Sequence, residues 1–164
     1  MSRGFTADDV SAQTGRTFLV TGANAGIGFE VSKILAARGA HVILGCRDED
    51  KAEVAMNRIW VDVPKAELSF QPLDLADLDQ VRDAAKAVLA GPRIDVLINN
   101  AGVGITGPIE ETPHEEILHV FDTNFHGPVH VMKAVLPQMR KQGSGAIINI
   151  TSIAGYMGLP FRGF

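Results

Sequence analysis

Cysteine and long runs of one charge are scarce in this sequence. Cys46 is its single cysteine, which excludes an internal disulfide framework. Lysine and arginine total 15 against 19 aspartates and glutamates, and the net charge of −4 comes without a long basic run. This balance argues against nucleic acid and against an anionic membrane surface as partners.

Segments that would carry the chain into a membrane are also missing from the sequence. No apolar run reaches the roughly 20 residues that a membrane-spanning helix needs. Residues 1–16 are polar and lack the pattern of a signal peptide. We therefore expect a cytoplasmic protein. Its 164 residues, 46% apolar and 21% charged, suit one soluble globular domain.

The most informative stretch is a glycine-rich loop at residues 21–28. It follows an apolar run at residues 17–20, which predicts a buried strand, and it precedes apolar residues at helical spacing that end near Gly39. Glycines between a strand and a helix let backbone N–H groups approach a phosphate, whose charge the helix dipole favours. A tight turn without a ligand is the alternative. We predict that the loop binds a nucleotide through Thr21, Gly22, Asn24, Gly26, Ile27 and Gly28.

Four further short segments predict strands at residues 41–44, 67–72, 95–98 and 146–150, separated by helices. Such alternation predicts an α/β fold, a doubly wound parallel sheet of Rossmann type with the strand order 3-2-1-4-5. We expect residues 1–164 to form a single domain that is incomplete at its carboxyl end.

Capping signatures predict where two of the helices begin. Asp77 with Gln80 is one capping box, and Thr112 with Glu115 is another, with Pro113 at the first helical position. The second box should start the longest helix, which continues to about residue 142.

Polar residues cluster at the predicted carboxyl ends of the strands, where ligands of such sheets bind. Asp74 and Leu75 follow the third strand, residues 99–102 follow the fourth, and Ser152 follows the fifth. Asn124 lies on the long helix. Each residue taken alone could be an ordinary turn, loop or surface residue, so the evidence lies in their joint occurrence.

In order and spacing these motifs resemble the short-chain dehydrogenase/reductase family from about residue 13 onward. The glycine loop has its T-G-x-x-x-G-x-G motif, and Asn99-Asn100-Ala101-Gly102 has its N-N-A-G motif. The resemblance implies an oxidoreductase that moves hydride between a nicotinamide cofactor and a small-molecule carbonyl or secondary alcohol. It also implies a homo-oligomer for the complete protein.

The resemblance implies a role for each of these residues. Asp74 would hold the adenine of the cofactor, with Leu75 in the same site. Asn100, Ala101 and Gly102 would support the cofactor side of the sheet. Asn124 would belong to a proton relay, and Ser152 would orient the carbonyl or hydroxyl of the substrate.

The choice of cofactor depends on the end of the second strand. NAD-binding proteins place an acidic residue there for the ribose 2′-hydroxyl, whereas an arginine nearby suits a 2′-phosphate. Cys46 occupies the acidic position here, and Arg47, which can pair bidentately with phosphate, follows it. We predict NADP. NAD remains possible, because Asp48 would serve it if the strand ended two residues later, and Arg47 could instead be a solvated residue at a helix start.

The catalytic tyrosine and lysine of the family have no counterpart in this sequence. By resemblance the tyrosine should fall about thirteen residues after Ser152, at position 165, with a lysine four residues further on. The one tyrosine, Tyr156, lies four residues after Ser152 and is followed at the lysine position by Pro160. We expect residues 1–164 to be an inactive fragment of such an enzyme. The alternative is a non-catalytic nucleotide-binding or interaction module.

Other chemistries find weaker support in the sequence. His126 and His130 have the spacing of helical zinc ligands, but Gly127 replaces the usual glutamate and no third ligand is evident, so we predict no metal site. The segment at residues 142–145 is not a G-x-S-x-G nucleophile elbow, which argues against a hydrolase.

Pro128 in the predicted long helix should disturb the helix locally. Pro128 lacks the N–H that would bond the carbonyl of Asn124. We expect a kink that frees this carbonyl for a bound water, or else an incidental break in the helix.

Overall fold

The structure is a computed structural model that describes residues 4–158 and 160–161. Its strands form one five-stranded parallel sheet. The order is β3-β2-β1-β4-β5, which confirms the predicted order and the doubly wound fold. The strands are β1 (Thr17–Thr21), β2 (His41–Cys46), β3 (Glu67–Pro72), β4 (Val96–Asn99) and β5 (Ala146–Asn149).

Five α-helices accompany the sheet in the described part of the chain. They are α1 (Gly26–Ala37), α2 (Glu49–Asp62), α3 (Leu78–Ala90), α4 (His114–Phe121) and α5 (Gly127–Gln142). Side chains of α1 and α2 share one buried cluster with Phe18 and Val20 of β1. Side chains of α3 and α5 share the other cluster with Leu19, which points to the opposite face. Because both faces are covered, β1 is buried along its whole length.

The cap predicted for α3 is confirmed, and half of the predicted capping box is wrong. The Asp77 carboxylate accepts hydrogen bonds from the backbone N–H groups of Asp79 and Gln80 at 2.9 and 3.1 Å. The Gln80 side chain donates to the Asp77 carboxylate at 3.2 Å, whereas the Asp77 backbone N–H donates to the Asp74 carbonyl. The reciprocal bond of the box is therefore not made.

The capping box predicted before the long helix is wrong. Thr112 donates its hydroxyl to the Pro108 carbonyl at 3.0 Å, so its side chain is turned away from the helix start. The helix begins at His114, with Pro113 one position before it rather than at the first helical position.

The long helix is not uniform along its length. A wider π-helical turn, Asp122–His126, lies between α4 and α5, and the N–H of Gly127 donates to the carbonyl of Asp122 five residues earlier. In an ordinary α-helical turn the N–H of residue 128 would bond the carbonyl of Asn124, but Pro128 has no N–H. The wider π turn lies at this point of the chain. A water on the Asn124 carbonyl stays a prediction.

The π turn lies close to the loop that follows β3. A methyl group at Gly127 would come within 2.7 Å of the Leu75 carbonyl oxygen. Glycine therefore permits a close approach that brings Thr123 of the π turn to the same cavity as Leu75.

Candidate cofactor site

A cavity of about 440 Å³ lies at the carboxyl ends of the strands. The glycine loop, the start of α2, and the loops after β3 and β4 line it, together with one residue of the π turn. The lining includes ten of the predicted site residues: Gly22, Asn24, Gly26, Ile27, Arg47, Asp74, Leu75, Asn100, Ala101 and Gly102.

Four predicted residues do not line this cavity. Thr21 and Gly28 lie behind the glycine loop, as their contacts below show. Asn124 belongs to the π turn, and Ser152 follows β5. The cavity also has lining residues that were not predicted to bind NADP, namely Ala25, Asp48, Lys51, Leu73, Val103 and Thr123.

Two glycines of the loop are required by close packing. Gly22 has a φ of +65°, and a Cβ there would lie 2.9 Å from the Cα of Ala101. A methyl group at Gly28 would collide with the side chain of Asn100 and with the Gly22 carbonyl. These glycines let the loop, α1 and the β4 loop pack against one another, which sets the shape of the cavity.

Thr21 supports the loop from behind. It is 1% exposed, and its hydroxyl oxygen accepts the backbone N–H groups of Asn100 and Ala101, both at 3.0 Å. The Asn100 amide donates in turn to the carbonyls of Thr21 and Gly22, at 3.1 and 3.3 Å. Thr21 therefore ties the end of β1 to the loop after β4.

Helix α1 begins at the cavity with its first N–H groups uncapped by a side chain. The residue before it is Ala25, and its first turn contains no acidic residue. Helices α2 and α3, in contrast, begin at the carboxylates of Asp48 and Asp77. Free N–H groups and the helix dipole make this end of α1 suited to a phosphate group.

An NAD-binding protein places an acidic residue at the end of β2, whereas this chain has Cys46 at that position. Cys46 is the last residue of β2, pairs with Pro72 and is 3% exposed. Burial raises the pKa of its thiol, which keeps the group neutral at neutral pH. The strand thus runs two residues beyond the predicted residues 41–44, and Cys46 rather than Asp48 is its last residue.

Arg47 and Asp48 follow β2 and have different environments. Arg47 is exposed on the cavity wall. The Asp48 carboxylate caps α2, accepting the backbone N–H of Lys51 at 3.0 Å and the Lys51 ammonium at 2.9 Å. The ammonium and the N–H both lower the pKa of Asp48.

Asp74 lies in a tight turn after β3. One of its carboxylate oxygens, Oδ1, accepts the backbone N–H of Ala76 at 3.0 Å, which fixes the side chain against the loop. Asp74 also lines the cavity, on the side that Leu73 and Leu75 share. A fixed carboxylate at this wall can accept a hydrogen bond from an amino group or a hydroxyl of a bound nucleotide.

Asn124 is bonded to the loop after β4 in both directions. The Val103 N–H donates to its Oδ1 at 2.8 Å, and its Nδ2 donates to the Val103 carbonyl at 2.7 Å. Val103 lines the cavity, so Asn124 is connected to the cavity wall through its hydrogen bonds to this loop. Thr123, its neighbour, has a buried hydroxyl without a hydrogen-bond partner among the residues that the structure describes.

The segment after β5 is exposed. The N–H of Ile150 donates to the Asn99 carbonyl at 2.8 Å, which holds the segment beside the end of β4. The Ser152 hydroxyl accepts the N–H of Ala154 at 3.1 Å, and Tyr156 is 93% exposed. Neither side chain lines the cavity.

The two histidines considered as metal ligands bond within their own helical segment. The His130 ring donates from Nδ1 to the backbone carbonyl of His126 at 2.6 Å. In the described part of the chain, no three histidine, cysteine, aspartate or glutamate side chains cluster as metal ligands would. No helix there is long and apolar enough to cross a membrane.

Comparison with known proteins agrees with this geometry. The family model for short chain dehydrogenase matches residues 16–163. A 3-ketodihydrosphingosine reductase of Bacteroides thetaiotaomicron is 39% identical over 147 residues, which are 89% of this chain and 50% of the relative. The chain spans about half the length of the first curated relatives that it matches.

Solved structures show the same fold. A metagenomic short-chain oxidoreductase in complex with NADP is 34% identical with a TM-score of 0.85, over 93% of this chain and 69% of that chain. A gluconate 5-dehydrogenase of Burkholderia cenocepacia in complex with NADP and tartrate is 30% identical with a TM-score of 0.83, over 93% and 59%. The glycine loop, the N-N-A-G segment and the family match lead to one conclusion: the chain belongs to the short-chain dehydrogenase/reductase family.

Proposed function

We propose that this chain is the NADP-binding part of an oxidoreductase that interconverts a carbonyl compound and a secondary alcohol. The observation that carries the proposal is the single cavity that joins the glycine loop, the uncapped start of α1 and Arg47. Such a cavity offers backbone donors for a diphosphate at one wall and a guanidinium for a further phosphate at another.

Each wall of the cavity has a distinct task in this proposal. The backbone N–H groups at Gly26 and Ile27 hold the diphosphate. Asp74 accepts a hydrogen bond from the adenine, and Arg47 pairs with the 2′-phosphate. Asn100 keeps the loop after β4 in place through its bonds to Thr21 and Gly22.

NADP is favoured over NAD by the side chains that follow β2. Cys46 is buried and neutral, so it cannot accept from a ribose 2′-hydroxyl as a carboxylate would. The Asp48 carboxylate is directed to the start of α2, where its two oxygens accept the N–H and the ammonium of Lys51. Two relatives of similar fold were solved with NADP, which supports the same choice.

The nicotinamide of the bound cofactor supplies or receives the hydride. Two residues of this chain would have orienting roles in the reaction. Ser152 would orient the substrate oxygen, and Asn124 would support a proton relay through its bonds to Val103. The acid that delivers the proton is not provided, because Tyr156 lies in an exposed segment and the sequence has no lysine after Lys141. We therefore propose that residues 1–164 alone bind cofactor without turnover.

NADPH oxidation with a panel of ketones tests the proposal. Residues 1–164 are assayed beside a longer chain that adds a Tyr-x-x-x-Lys segment and the strands that follow it. We expect turnover only from the longer chain, since positioned acid catalysis contributes about 10²–10⁴-fold. Equal rates from both chains, unchanged by Tyr156→Phe, would contradict it.

A further inference from the structure

Lys51 shares the cavity wall with Arg47 although the sequence motifs assign it no role. It lies in the first turn of α2, three residues after Asp48, and lines the same cavity. Its ammonium is 2.9 Å from the Asp48 carboxylate, and its side chain is 67% exposed. An exposed lysine that is held at a cavity by a carboxylate is available to a ligand that enters there.

The charges around the cavity explain why such a lysine would matter. Arg47 and Lys51 are the cations of the lining, and Asp48 and Asp74 are its anions. A 2′-phosphate that pairs with Arg47 brings its negative charge beside the adjacent Asp48 carboxylate, which repels it. A lysine ammonium has three donors, so Lys51 can keep its bond to Asp48 and donate a second one to the phosphate.

We propose that Lys51 is a second ligand of the 2′-phosphate, positioned for that role by Asp48. The proposal rests on the NADP site proposed above. Arg47 then approaches the phosphate from the end of β2 and Lys51 from the first turn of α2. Asp48 is a positioning residue, since it fixes both the start of α2 and the direction of the lysine side chain.

A simpler role for Lys51 is that it only neutralises Asp48. The two roles differ in what happens when the Asp48 charge is removed. Asp48→Asn leaves a side chain that still caps a helix well. If Lys51 binds the phosphate, removing the lysine side chain weakens nucleotide binding in the Asp48→Asn variant too. If Lys51 only neutralises Asp48, removing the lysine from the Asp48→Asn variant has no effect. A double-mutant cycle separates the roles.

The experiment measures binding by calorimetry with two nucleotides, 2′,5′-ADP and 5′-AMP, which differ by the 2′-phosphate. The variants are Lys51→Met, Asp48→Asn and the two combined. Lys86→Met is the matched control, because Lys86 forms the same i,i+3 pair with Asp83 on α3, away from the cavity.

We expect Lys51→Met to weaken 2′,5′-ADP about tenfold in the native chain, as the loss of a charge-assisted hydrogen bond would. In the Asp48→Asn background, where Lys51 is held less firmly, the loss should be smaller but still measurable. Binding of 5′-AMP and all binding by the Lys86 control should stay unchanged. A loss that vanishes in the Asp48→Asn background, or that is equal for both nucleotides, would overturn the inference. If 2′,5′-ADP binds more tightly than 5′-AMP and Lys51→Met does not change this, the inference about Lys51 alone is overturned. If neither nucleotide binds, the proposed cofactor site is overturned as well.

Discussion

The hydroxyl oxygen of Thr21 lies 3.0 Å from the backbone nitrogen of Asn100 and accepts its hydrogen bond. The two residues are far apart in sequence, at the ends of neighbouring strands β1 and β4. This bond, with the matching one from Ala101, joins the glycine loop to the N-N-A-G segment. The two most recognisable motifs of the chain are therefore held together through one buried threonine.

Replacing Thr21 should destabilise the fold and the cavity together. Thr21→Val keeps the shape of the side chain but leaves two backbone N–H groups without an acceptor. Each orphaned donor costs roughly 1–3 kcal/mol. We expect urea unfolding to show a loss of roughly 2–6 kcal/mol for the two donors together, while Thr21→Ser, which keeps the hydroxyl, stays close to the native chain. Equal stability of the two variants would show that the hydroxyl contributes little.

Gly22 should not tolerate a side chain. Gly22→Ala forces an alanine into a φ of +65° and places its Cβ 2.9 Å from the Cα of Ala101. We expect a loss of roughly 1–3 kcal/mol in stability and weakened nucleotide binding, because the loop must move away from Ala101. Gly155→Ala is the control, since a Cβ there meets nothing within 4 Å. A Gly22→Ala chain that unfolds and binds like the control would refute the packing argument.

Strand β5 should make the 164-residue chain prone to association. In the described residues it pairs with β4 alone, and Ile148 is 45% exposed. An apolar strand with one unpaired edge is a template for another chain. We expect sedimentation velocity to show association that grows with protein concentration and that Ile148→Lys reduces.

Val54→Lys provides the comparison for this prediction. Val54 is 59% exposed on α2, which packs against β2 and β3 rather than against β5. A lysine there adds the same charge without affecting β5. If both lysine variants reduce association equally, net charge rather than the strand edge is responsible.

The strands and several cavity-lining residues could be predicted from the order of short segments along the chain. The segment at residues 67–72 alternates polar residues with Leu68 and Phe70, a pattern typical of a strand, and β3 has those bounds. Arg47 and Asp74 could be assigned to the cavity because the carboxyl ends of parallel strands meet at one edge.

One helix start and some cavity residues could not be predicted, because a competing local bond or a distant partner decides them. Thr112 fits a capping pattern, yet its hydroxyl is bonded to the Pro108 carbonyl in the preceding turn. Thr123 lines the cavity because the π turn lies close to Leu75. Helical periodicity in the sequence does not predict such a turn. Lys51 looks like a solvated helix residue until the cavity is seen beside it.

Titration of NADPH and NADH into the native chain and into Arg47→Ala tests the central claim most directly, with Arg82→Ala as a control. Arg82 is an exposed arginine paired with Asp79 on α3. We expect the native chain to prefer NADPH, and Arg47→Ala to lose roughly 1.5–3 kcal/mol for NADPH alone, the value of a charge-assisted contact. Equal affinities in the native chain, or equal losses for both cofactors, would contradict the assignment of this cavity to NADP.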